Sequence, residues 1–372
     1  MHLDHLWLND FRSWEEAELT LAGGLTVIRG NNAAGKTNLL EAIGYLATLS
    51  SFRGAPNESL VRAGCTQAVV RGEGRRAGRD LLVEAEIRVT GRGRVALNRQ
   101  PVRRTADLLD AVRVSVFSPD DLVLVKGPPG GRRRWLDDAL VALHPRNDAI
   151  RREFERVIRQ RTALLGQAGG RLTPEVATTL DVWDTKLVET GEALADARTT
   201  FLDRAEPLVA KAYGDLAGAG GDAISGVAPA PVALTYDAPW RAQGLAAALA
   251  EVRTQELRRG VSLVGPHRDD VILTVGGMAA RTQASQGEQR SLALALRLAA
   301  HLVVAEELGE PPVLLLDDVF SELDADRSRA LFDHLPPGQS LLTTTGSVPE
   351  GARPERVLEV VDGVISEGGG DG

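Results

Sequence analysis

Gly30-Asn31-Asn32-Ala33-Ala34-Gly35-Lys36-Thr37 decides the fold of this chain, because it fits the phosphate-binding loop pattern G-x-x-x-x-G-K-[ST]. The β-branched run at 25–28 predicts a strand before the loop. Apolar residues three and four positions apart predict a helix over 38–49 after it. In this order, backbone N–H groups of the loop and the dipole of the helix can hold an anion. The sequence therefore predicts a nucleotide-binding α/β fold.

The residues of the loop have separate expected roles. The ammonium group of Lys36 is expected to reach the β- and γ-phosphates and to take part in catalysis, and the Thr37 hydroxyl is expected to coordinate Mg²⁺. The motif thus predicts ATP and Mg²⁺ as cofactors. The predicted nucleotide-binding residues here are Gly30, Asn31, Asn32, Ala33, Ala34, Gly35, Lys36, Thr37 and Asn38.

A second stretch, Val313-Leu314-Leu315-Leu316-Asp317-Asp318, predicts a buried strand that ends in two carboxylates. Four unbroken apolar residues leave no solvated face, as in the strands of parallel sheets. Ligands bind at the carboxyl ends of such strands, so Asp317 is the expected second ligand of Mg²⁺. Asp318 is then placed to orient the attacking water, which makes it a predicted catalytic residue. Taken alone, the two acids could simply end a strand.

Two further motifs flank this strand. Ser285-Gln286-Gly287-Glu288-Gln289-Arg290 precedes an apolar helix predicted over 291–304, and Ser321-Glu322-Leu323-Asp324 begins three residues after Asp318. A hydroxyl and exposed N–H groups at a helix N-terminus can bind an anion.

The four motifs, in this order, resemble those of the ABC-type ATPases, with their S-x-G-x-Q signature and S-x-L-D loop. The resemblance implies that the signature of one subunit caps the γ-phosphate bound by the other, so that ATP joins two heads. Ser285, Gly287 and Gln289 are the nucleotide contacts that it implies. Asp324 is expected to line the dimer seam.

Composition limits the possible functions. Hydrophobic residues make up 43% and charged residues 25% of the 372 residues, which is typical of a globular chain long enough for two cores. The single cysteine, Cys65, cannot form an internal disulfide, which favours a reducing compartment. The N-terminus lacks the apolar core of a signal peptide, and the apolar stretch at 292–308 is too charged to span a bilayer. We therefore expect a cytoplasmic protein without a membrane partner.

The formal net charge of −8 argues against a nucleic-acid partner, but its distribution argues for one. Between residues 71 and 161 there are 21 Lys and Arg against 13 Asp and Glu. This asymmetry predicts a basic face that follows a DNA backbone, while a solvated arginine-rich surface is the alternative. No aromatic residue is interleaved, so duplex contact is favoured over single-strand stacking. The densest clusters are Arg71, Arg75, Arg76 and Arg79; Arg88, Arg92, Arg94 and Arg99; Arg103 and Arg104; and Arg132, Arg133 and Arg134.

The order of predicted elements divides the chain into three segments. Residues 1–125 form the N-terminal part of an ATPase head, and residues 259–366 form its C-terminal part. Between them, residues 126–258 are mainly helical. Two amphipathic helices joined by Gly169-Gly170 predict a short coiled-coil hairpin, although an ordinary packed helical subdomain fits the same pattern.

Local signals place the ends of these helices. Asn147 is expected to cap the first helix, and Thr173 to cap the second with Pro174 in its first turn. A Gly/Ala/Pro-rich linker is predicted over 217–231.

A helical insertion between phosphate loop and signature resembles the SMC and Rad50 class more than transporter ATPases. The expected fold is accordingly α/β, an ABC/SMC-type P-loop ATPase head with an inserted helical arm. Particular strings resemble the RecF family of that class: Asp10-Phe11-Arg12-Ser13, Ser118-Pro119-Asp120-Asp121-Leu122, Val125-Lys126-Gly127-Pro128-Pro129, Arg132-Arg133-Arg134-Trp135-Leu136-Asp137 and Gly265-Pro266-His267-Arg268-Asp269-Asp270.

The resemblance implies a weak, DNA-stimulated ATPase of recombinational repair and replication restart. Its ATP-dependent homodimer would clamp duplex, gapped or junction DNA at the nucleoid. RecR would be a partner, with RecO and RecA as indirect partners in loading RecA. Arg12 resembles an arginine that approaches the nucleotide, although a surface role is equally open.

Several positions depart from the wider superfamily. Asp318 is one methylene shorter than the usual glutamate, so slow hydrolysis is expected. Thr344 or Thr345 stands where a histidine is usual, and Ser118 stands where a glutamine is usual. His267 is expected to be structural. Two rivals remain: the nucleotide-binding subunit of an ABC transporter, and a head that binds ATP without turnover.

Overall fold

The computed structural model describes residues 1–102, 107–108, 111–219 and 230–368. The chain divides into two compact units, which we describe separately. The first comprises Met1–Leu122, Leu208–Ala230 and Gln286–Gly372, and the second comprises Val123–Pro207 and Pro231–Ser285. Arg103, Arg104 and residues 220–229 of the predicted linker lie outside the described residues.

The helices of the described part lie between Lys36 and Asp333. They are α1 Lys36–Thr48, α2 Val123–Lys126, α3 Pro129–Leu143, α4 Pro145–Ala168, α5 Pro174–Ala219, α6 Leu245–Arg259, α7 Ala280–Gln283, α8 Gln286–Leu308 and α9 Ala325–Asp333. The strands are β1 His2–Phe11, β2 Trp14–Thr20, β3 Leu25–Gly30, β4 Gln67–Arg76, β5 Arg79–Arg88, β6 Arg94–Leu97, β7 Gln100–Pro101, β8 Val114–Phe117, β9 Val232–Asp237, β10 Asp270–Val275, β11 Met278–Ala279, β12 Val313–Asp317, β13 Ser340–Thr344, β14 Arg356–Val361 and β15 Val364–Glu367.

The first unit contains an antiparallel sheet and a mainly parallel sheet. The antiparallel sheet has the order β2-β1-β4-β5-β6-β7, and the other has the order β15-β14-β3-β13-β12-β8. In the second sheet β14, β3, β13, β12 and β8 are parallel, and β15 alone is antiparallel to its neighbour. The predicted α/β fold is confirmed.

Strand β12 shows why its sequence lacks polar residues before the final carboxylate. Side chains alternate between the two faces of a strand. Val313 and Leu315 enter the core that contains α1 and the inner face of the antiparallel sheet. Leu314 and Leu316 enter the opposite core, which α8, α9 and the end of α5 complete. Helices therefore cover both faces of the parallel sheet, as such sheets require.

The second unit is a packed subdomain rather than a helical hairpin alone. The predicted connection between α4 and α5 is present, and its Gly169 and Gly170 both have the positive φ that glycine favours. Leu165 of α4, Leu180 of α5 and Leu257 of α6 form one buried cluster. The sheet β11-β10-β9 belongs to the same unit.

The pairing within this sheet explains why the boundaries of the two units differ from those of the predicted segments. Strand β10 pairs along its whole length with β9, so residues 259–285, predicted with the head, fall in the second unit. Conversely, α5 continues to Ala219, and its part from Leu208 onward falls in the first unit, although it was expected in the arm.

The ends of α4 and α5 test the predicted caps. α5 begins at Pro174, and its Val176 N–H donates to Thr173 Oγ1 at 3.3 Å, as predicted. The prediction for Asn147 is wrong, because α4 begins two residues earlier at Pro145. The Asn147 side-chain amide instead donates to the Leu140 carbonyl at 2.7 Å.

A buried arginine holds the helices of the second unit together. Arg161 on α4 is fully buried and donates to Asp184 on α5 at 2.6 Å and to Glu256 on α6 at 2.6 Å. Its third bond goes to the Ser262 hydroxyl at 2.8 Å. A buried charge is tolerated when it is paired and hydrogen-bonded, and each of the three guanidinium nitrogens of Arg161 has a partner.

No helix among the described residues combines the length and the apolar character needed to cross a membrane.

We predict that Glu256→Ala lowers the stability of the second unit by roughly 3–5 kcal/mol, because it leaves the buried Arg161 charge without one partner. Thermal and urea unfolding followed by circular dichroism would measure the loss. Glu153→Ala is the matched control, since Glu153 pairs with Arg156 on the exposed side of α4. Equal unfolding midpoints for the two variants would contradict the structural role of Arg161.

Candidate nucleotide-binding site

The phosphate loop links the end of β3 to the start of α1. Gly30 lies opposite Val360 of β14, and a Cβ there would stand 2.4 Å from the Val360 carbonyl oxygen. Ala33 and Gly35 have φ of 63° and 100°, which curls the backbone. The helix starts at Lys36. Its first N–H groups have no intrahelical acceptors, so they are available to an anion in the loop.

The turn between β1 and β2 supports this loop. Trp14 Nε1 donates to the Gly35 carbonyl at 3.2 Å, and Asn38 Nδ2 donates to Ser13 Oγ at 2.9 Å. A Cβ on Gly35 would lie 2.9 Å from Ser13 Oγ. The glycine is thus required both by its φ and by the closeness of this turn.

Arg12 precedes that turn, and the structure gives it a structural contact. Its Nε and Nη2 atoms donate to the two carboxylate oxygens of Glu41, each at 2.7 Å. Glu41 lies inside α1 and is fully buried. Arg12 Nη1 also donates to the Ser59 carbonyl at 2.8 Å. In this structure the Arg12 guanidinium neutralises a buried carboxylate, and Arg12 does not line the cavity at the loop.

Lys36 is folded back onto the loop. Its Nζ atom donates to the carbonyls of Gly30 and Asn31 at 2.7 and 2.8 Å. Burial lowers the pKa of the Lys36 ammonium, and the carboxylates of Asp318 and Asp317 oppose that shift. The cation is therefore held beside the anion-binding N–H groups, with two acidic groups near it.

Thr37 and Asp317, distant in sequence, meet at the site. Thr37 Oγ1 donates to Asp317 Oδ1 at 2.7 Å, and Thr343 Oγ1 donates to the same oxygen at 2.8 Å. Burial raises the pKa of the Asp317 carboxyl, while both hydroxyl donors lower it. The structure thus brings together the two predicted Mg²⁺ ligands.

Asp318 lies one residue further, where the strand has ended. Its backbone is left-handed, with φ of 49°, and its N–H donates to Thr343 Oγ1 at 2.9 Å. Its Oδ1 atom is buried and accepts no hydrogen bond from the described residues. Such an atom marks a place where water or a ligand supplies the donor.

These groups surround a cavity of about 360 Å³. It is lined by Asn32, Ala33, Gly35, Lys36, Thr37, Asn38, Arg53, Asp318, Thr343 and Thr345. No sequence motif indicated Arg53 or Thr343 as residues of the site. Arg53 follows α1 with no motif of its own, and its charge helps to lower the pKa of Asp317.

The donor set fits Mg²⁺ better than a metal held wholly by protein. Among the described residues, no group of three or more His, Cys, Asp or Glu side chains could hold an ion. Thr37 and Asp317 offer one hydroxyl and one carboxylate. Mg²⁺ commonly takes one or two such ligands together with substrate phosphates and water.

The predicted signature begins at an exposed position. Ser285 is exposed and Gly287 is partly exposed, and α8 starts between them at Gln286. Gln289 is buried, with 4% of its surface exposed, whereas the resemblance implied a nucleotide contact for its side chain. Within the described part of the first unit, none of residues 286–290 lines the cavity.

The loop after Asp318 contacts the signature through an arginine. Asp324 caps α9 by accepting from Arg327 N at 2.8 Å, and its other carboxylate oxygen accepts from Arg327 Nη1 at 2.7 Å. A Cβ on Gly287 would stand 2.9 Å from the guanidinium nitrogens of Arg327. The absence of a side chain at Gly287 therefore lets the Arg327 guanidinium lie against the signature.

His267 belongs to the second unit, as does the rest of its motif. Its ring lies within hydrogen-bonding distance of the Ser262 carbonyl at 3.2 Å, and burial lowers its pKa to about 4. The neighbouring Asp269 accepts from Tyr236 Oη and Trp240 Nε1 at 2.7 and 2.8 Å. The motif organises the interior of the second unit, in agreement with the structural role expected for His267.

The arginine-rich stretch is less basic on the surface than its sequence suggests. Arg132 is 5% exposed and forms a two-bond ion pair with Asp270 at 2.7 and 2.8 Å. Its predicted place in a basic surface is therefore wrong, and in its cluster Arg134 is the exposed member. Arg133 is partly buried and donates to the Asp269 carbonyl at 2.7 Å.

In the antiparallel sheet three arginines face carboxylates, whereas Arg76 faces Arg79. Adjacent strands place Arg71 opposite Glu84, Arg75 opposite Asp80 and Arg94 opposite Glu86. Opposite charges in such positions attract each other. In this sheet and its turns, the arginines that remain largely exposed stand near the strand ends; they are Arg75, Arg79, Arg92, Arg94 and Arg99.

The chain is similar over nearly its whole length to known proteins of DNA replication and repair. The family model described as RecF/RecN/SMC N terminal domain matches residues 2–340. The DNA replication and repair protein RecF of Kineococcus radiotolerans is 46% identical over 370 residues, which cover 94% of each chain. RecF of Streptomyces avermitilis is 44% identical over 359 residues, covering 92% of this chain and 93% of the relative.

Solved structures agree with the sequence matches. The recombination mediator protein RecF of the RecFOR pathway, solved with ATP, has a TM-score of 0.88 and 27% identity, over 99% of this chain and 98% of that one. An Smc head domain from Pyrococcus furiosus, with a TM-score of 0.57 and 16% identity, covers 98% of this chain and 95% of that one. The latter shows likeness of fold alone.

We predict that Gly30→Ala lowers both the unfolding temperature and the affinity for ATP, because a Cβ would press β3 away from β14 at the start of the loop. Gly214→Ala is the control, since nothing lies within 4 Å of a Cβ at that helical position. The control should leave stability unchanged or raise it by about 0.5–1 kcal/mol. Calorimetric ATP titration and thermal unfolding test both variants. Wild-type ATP affinity in Gly30→Ala would contradict the close approach of Val360.

Proposed function

The chain belongs to the RecF/RecN/SMC family, and we propose that it is an ATP-dependent DNA-binding protein of recombinational repair and replication restart. ATP joins two copies of the head, and the closed dimer clamps duplex, gapped or junction DNA in the cytoplasm at the nucleoid. RecR is the proposed direct partner, with RecO and RecA as indirect partners in loading RecA. Family membership speaks against the transporter alternative.

The observation that carries the proposal is the composition of the cavity at the phosphate loop, which supports an ATP site completed by a second copy. The cavity contains the loop, Lys36, Thr37 and Asp318, but no described residue of 286–290. Ser285 is exposed instead. A hydroxyl and the N–H groups at the N-terminus of α8 can bind the γ-phosphate on a second copy. This arrangement supports dimerisation through bound nucleotide.

We assign a role in ATP binding or hydrolysis to four residues of the site. Lys36 leaves the carbonyls of Gly30 and Asn31 and neutralises the β- and γ-phosphates, as in other phosphate loops. Thr37 and Asp317 hold Mg²⁺, which screens phosphate charge when bound. Asp318 accepts a hydrogen bond from the attacking water through its buried Oδ1. Because aspartate is shorter than glutamate, turnover is expected to be slow.

DNA contact is assigned to the ends of the antiparallel sheet rather than to its face. The turn from β4 to β5 carries Arg75 and Arg79, and the turn from β5 to β6 carries Arg92 and Arg94. All four are exposed. Arginines on projecting turns can reach phosphates in a sequence-independent manner.

We predict that ATP tightens duplex DNA binding by about 5- to 150-fold relative to ADP or no nucleotide, the usual range of coupling between two sites. Lys36→Met should abolish this gain, because the phosphates lose their cation. Fluorescence anisotropy with labelled duplex, at one salt concentration, measures the three affinities. Lys211→Met, at an exposed position of α5, is the control and should behave as wild type. Equal wild-type affinities in all three nucleotide conditions would overturn the proposed gating.

We also predict that Ser285→Arg binds ATP as a monomer, because a long cation at the signature blocks approach of the second head. Analytical ultracentrifugation at matched ATP concentrations separates monomer from dimer. Ser366→Arg, an exposed serine on β15, should still dimerise. Persisting dimers of Ser285→Arg would remove the signature from the interface.

A further inference from the structure

A threonine on the strand between the two halves of the site contacts both acidic residues. Strand β13 pairs with β3 on one side and with β12 on the other. Thr343 stands near its end, in register with Asp317 and Ile28, and is fully buried. A buried hydroxyl must use its hydrogen-bonding capacity within the protein.

The two bonds of Thr343 have a fixed direction. A hydroxyl donates one hydrogen bond and accepts others. Thr343 Oγ1 accepts from the Asp318 N–H at 2.9 Å, and it donates to Asp317 Oδ1 at 2.8 Å. The chain of donors therefore runs from the Asp318 backbone through Thr343 to the Asp317 carboxylate.

Each bond fixes a different part of the site. The bond to Asp317, together with the bond from Thr37, sets the orientation of a buried carboxylate. The bond from Asp318 holds a non-glycine residue in the left-handed region, which such residues rarely adopt. The left-handed bend turns the Asp318 side chain toward the cavity that it lines.

A β-branched side chain suits this task. Threonine has few favoured rotamers in a strand, so its hydroxyl stays aligned with both partners. The neighbouring Thr344 points to the other face of β13 and has a different partner, because its Oγ1 accepts from Gly346 N at 3.3 Å. Thr344 therefore offers a matched comparison on the same strand.

We propose that Thr343 is a positioning residue for the nucleotide site, in which one hydroxyl orients Asp317 toward Mg²⁺ and holds Asp318 toward the reacting water. The proposal rests on the proposed ATP-binding function. When a group that hydrogen-bonds to a metal ligand is removed, the affinity for the metal usually falls by about 10- to 100-fold. The hydroxyl of Thr343, rather than its shape, is the feature that carries the role.

The test compares Thr343→Val, which keeps the shape and removes the hydroxyl, with Thr343→Ser, which keeps the hydroxyl. ATP affinity of the full chain is measured by calorimetry over a range of Mg²⁺ concentrations and in excess chelator. Thr343→Val should raise the Mg²⁺ concentration for half-maximal ATP binding by about 10- to 100-fold. Thr343→Ser should stay near wild type, and Thr344→Val should match wild type. Affinity in chelator should be the same for all four proteins.

Three outcomes would decide against the proposal. A wild-type Mg²⁺ dependence in Thr343→Val would show that the hydroxyl does not position Asp317. An equal loss of ATP affinity with and without Mg²⁺ would assign Thr343 to the folding of the loop, and a loss in Thr343→Ser as large as in Thr343→Val would assign it to packing. Failure of the wild-type chain to bind ATP in any condition would instead refute the proposed function itself.

Discussion

The hydrogen bond from Thr37 to Asp317 is the contact on which the nucleotide site depends. It joins residues 280 positions apart in sequence at 2.7 Å. One lies at the start of α1, directly after β3, and the other at the end of β12. With strands about 4.8 Å apart and one strand between them, these two elements are separated by about 10 Å. The bond therefore requires the order β3-β13-β12, and any topology that separates these strands further would break the site.

Buried charges play different parts in the two units. In the second unit, Arg161 and Arg132 have carboxylate partners and additional acceptors. Such saturated groups fix the arrangement of elements and leave little capacity for chemistry. In the first unit, Asp317 retains its two hydroxyl donors, whereas the buried Oδ1 of Asp318 has none among the described residues. The Oδ1 atom of Asp318 can therefore accept a hydrogen bond from water or a ligand, and this distinguishes the candidate site from a structural ion pair.

Sequence reasoning succeeded where the determinant was local. The phosphate loop, the apolar run of β12 and the start of α5 at Pro174 each follow from neighbouring residues. It failed for Asn147, because Pro145 and the preceding helix set the start of α4. Thr343 could not be separated from Thr344 and Thr345 by sequence, since the choice depends on the register in which β13 pairs with β12. Arg53 carried no signal because its role comes only from where the chain runs after α1.

The arginine clusters show most clearly why sequence and surface differ. A run of charges predicts a basic face only if its side chains reach solvent together and without partners. Arg132 and Arg161 turn inward, while cross-strand pairing places Glu84, Asp80 and Glu86 opposite arginines of the antiparallel sheet. What this sheet offers to a phosphate backbone is a set of exposed arginines near strand ends. Few phosphates can be contacted at once by such a set, so the proposed nucleotide-driven pairing of two heads, which would double the number of arginines on one DNA, would offer a physical route to firm binding.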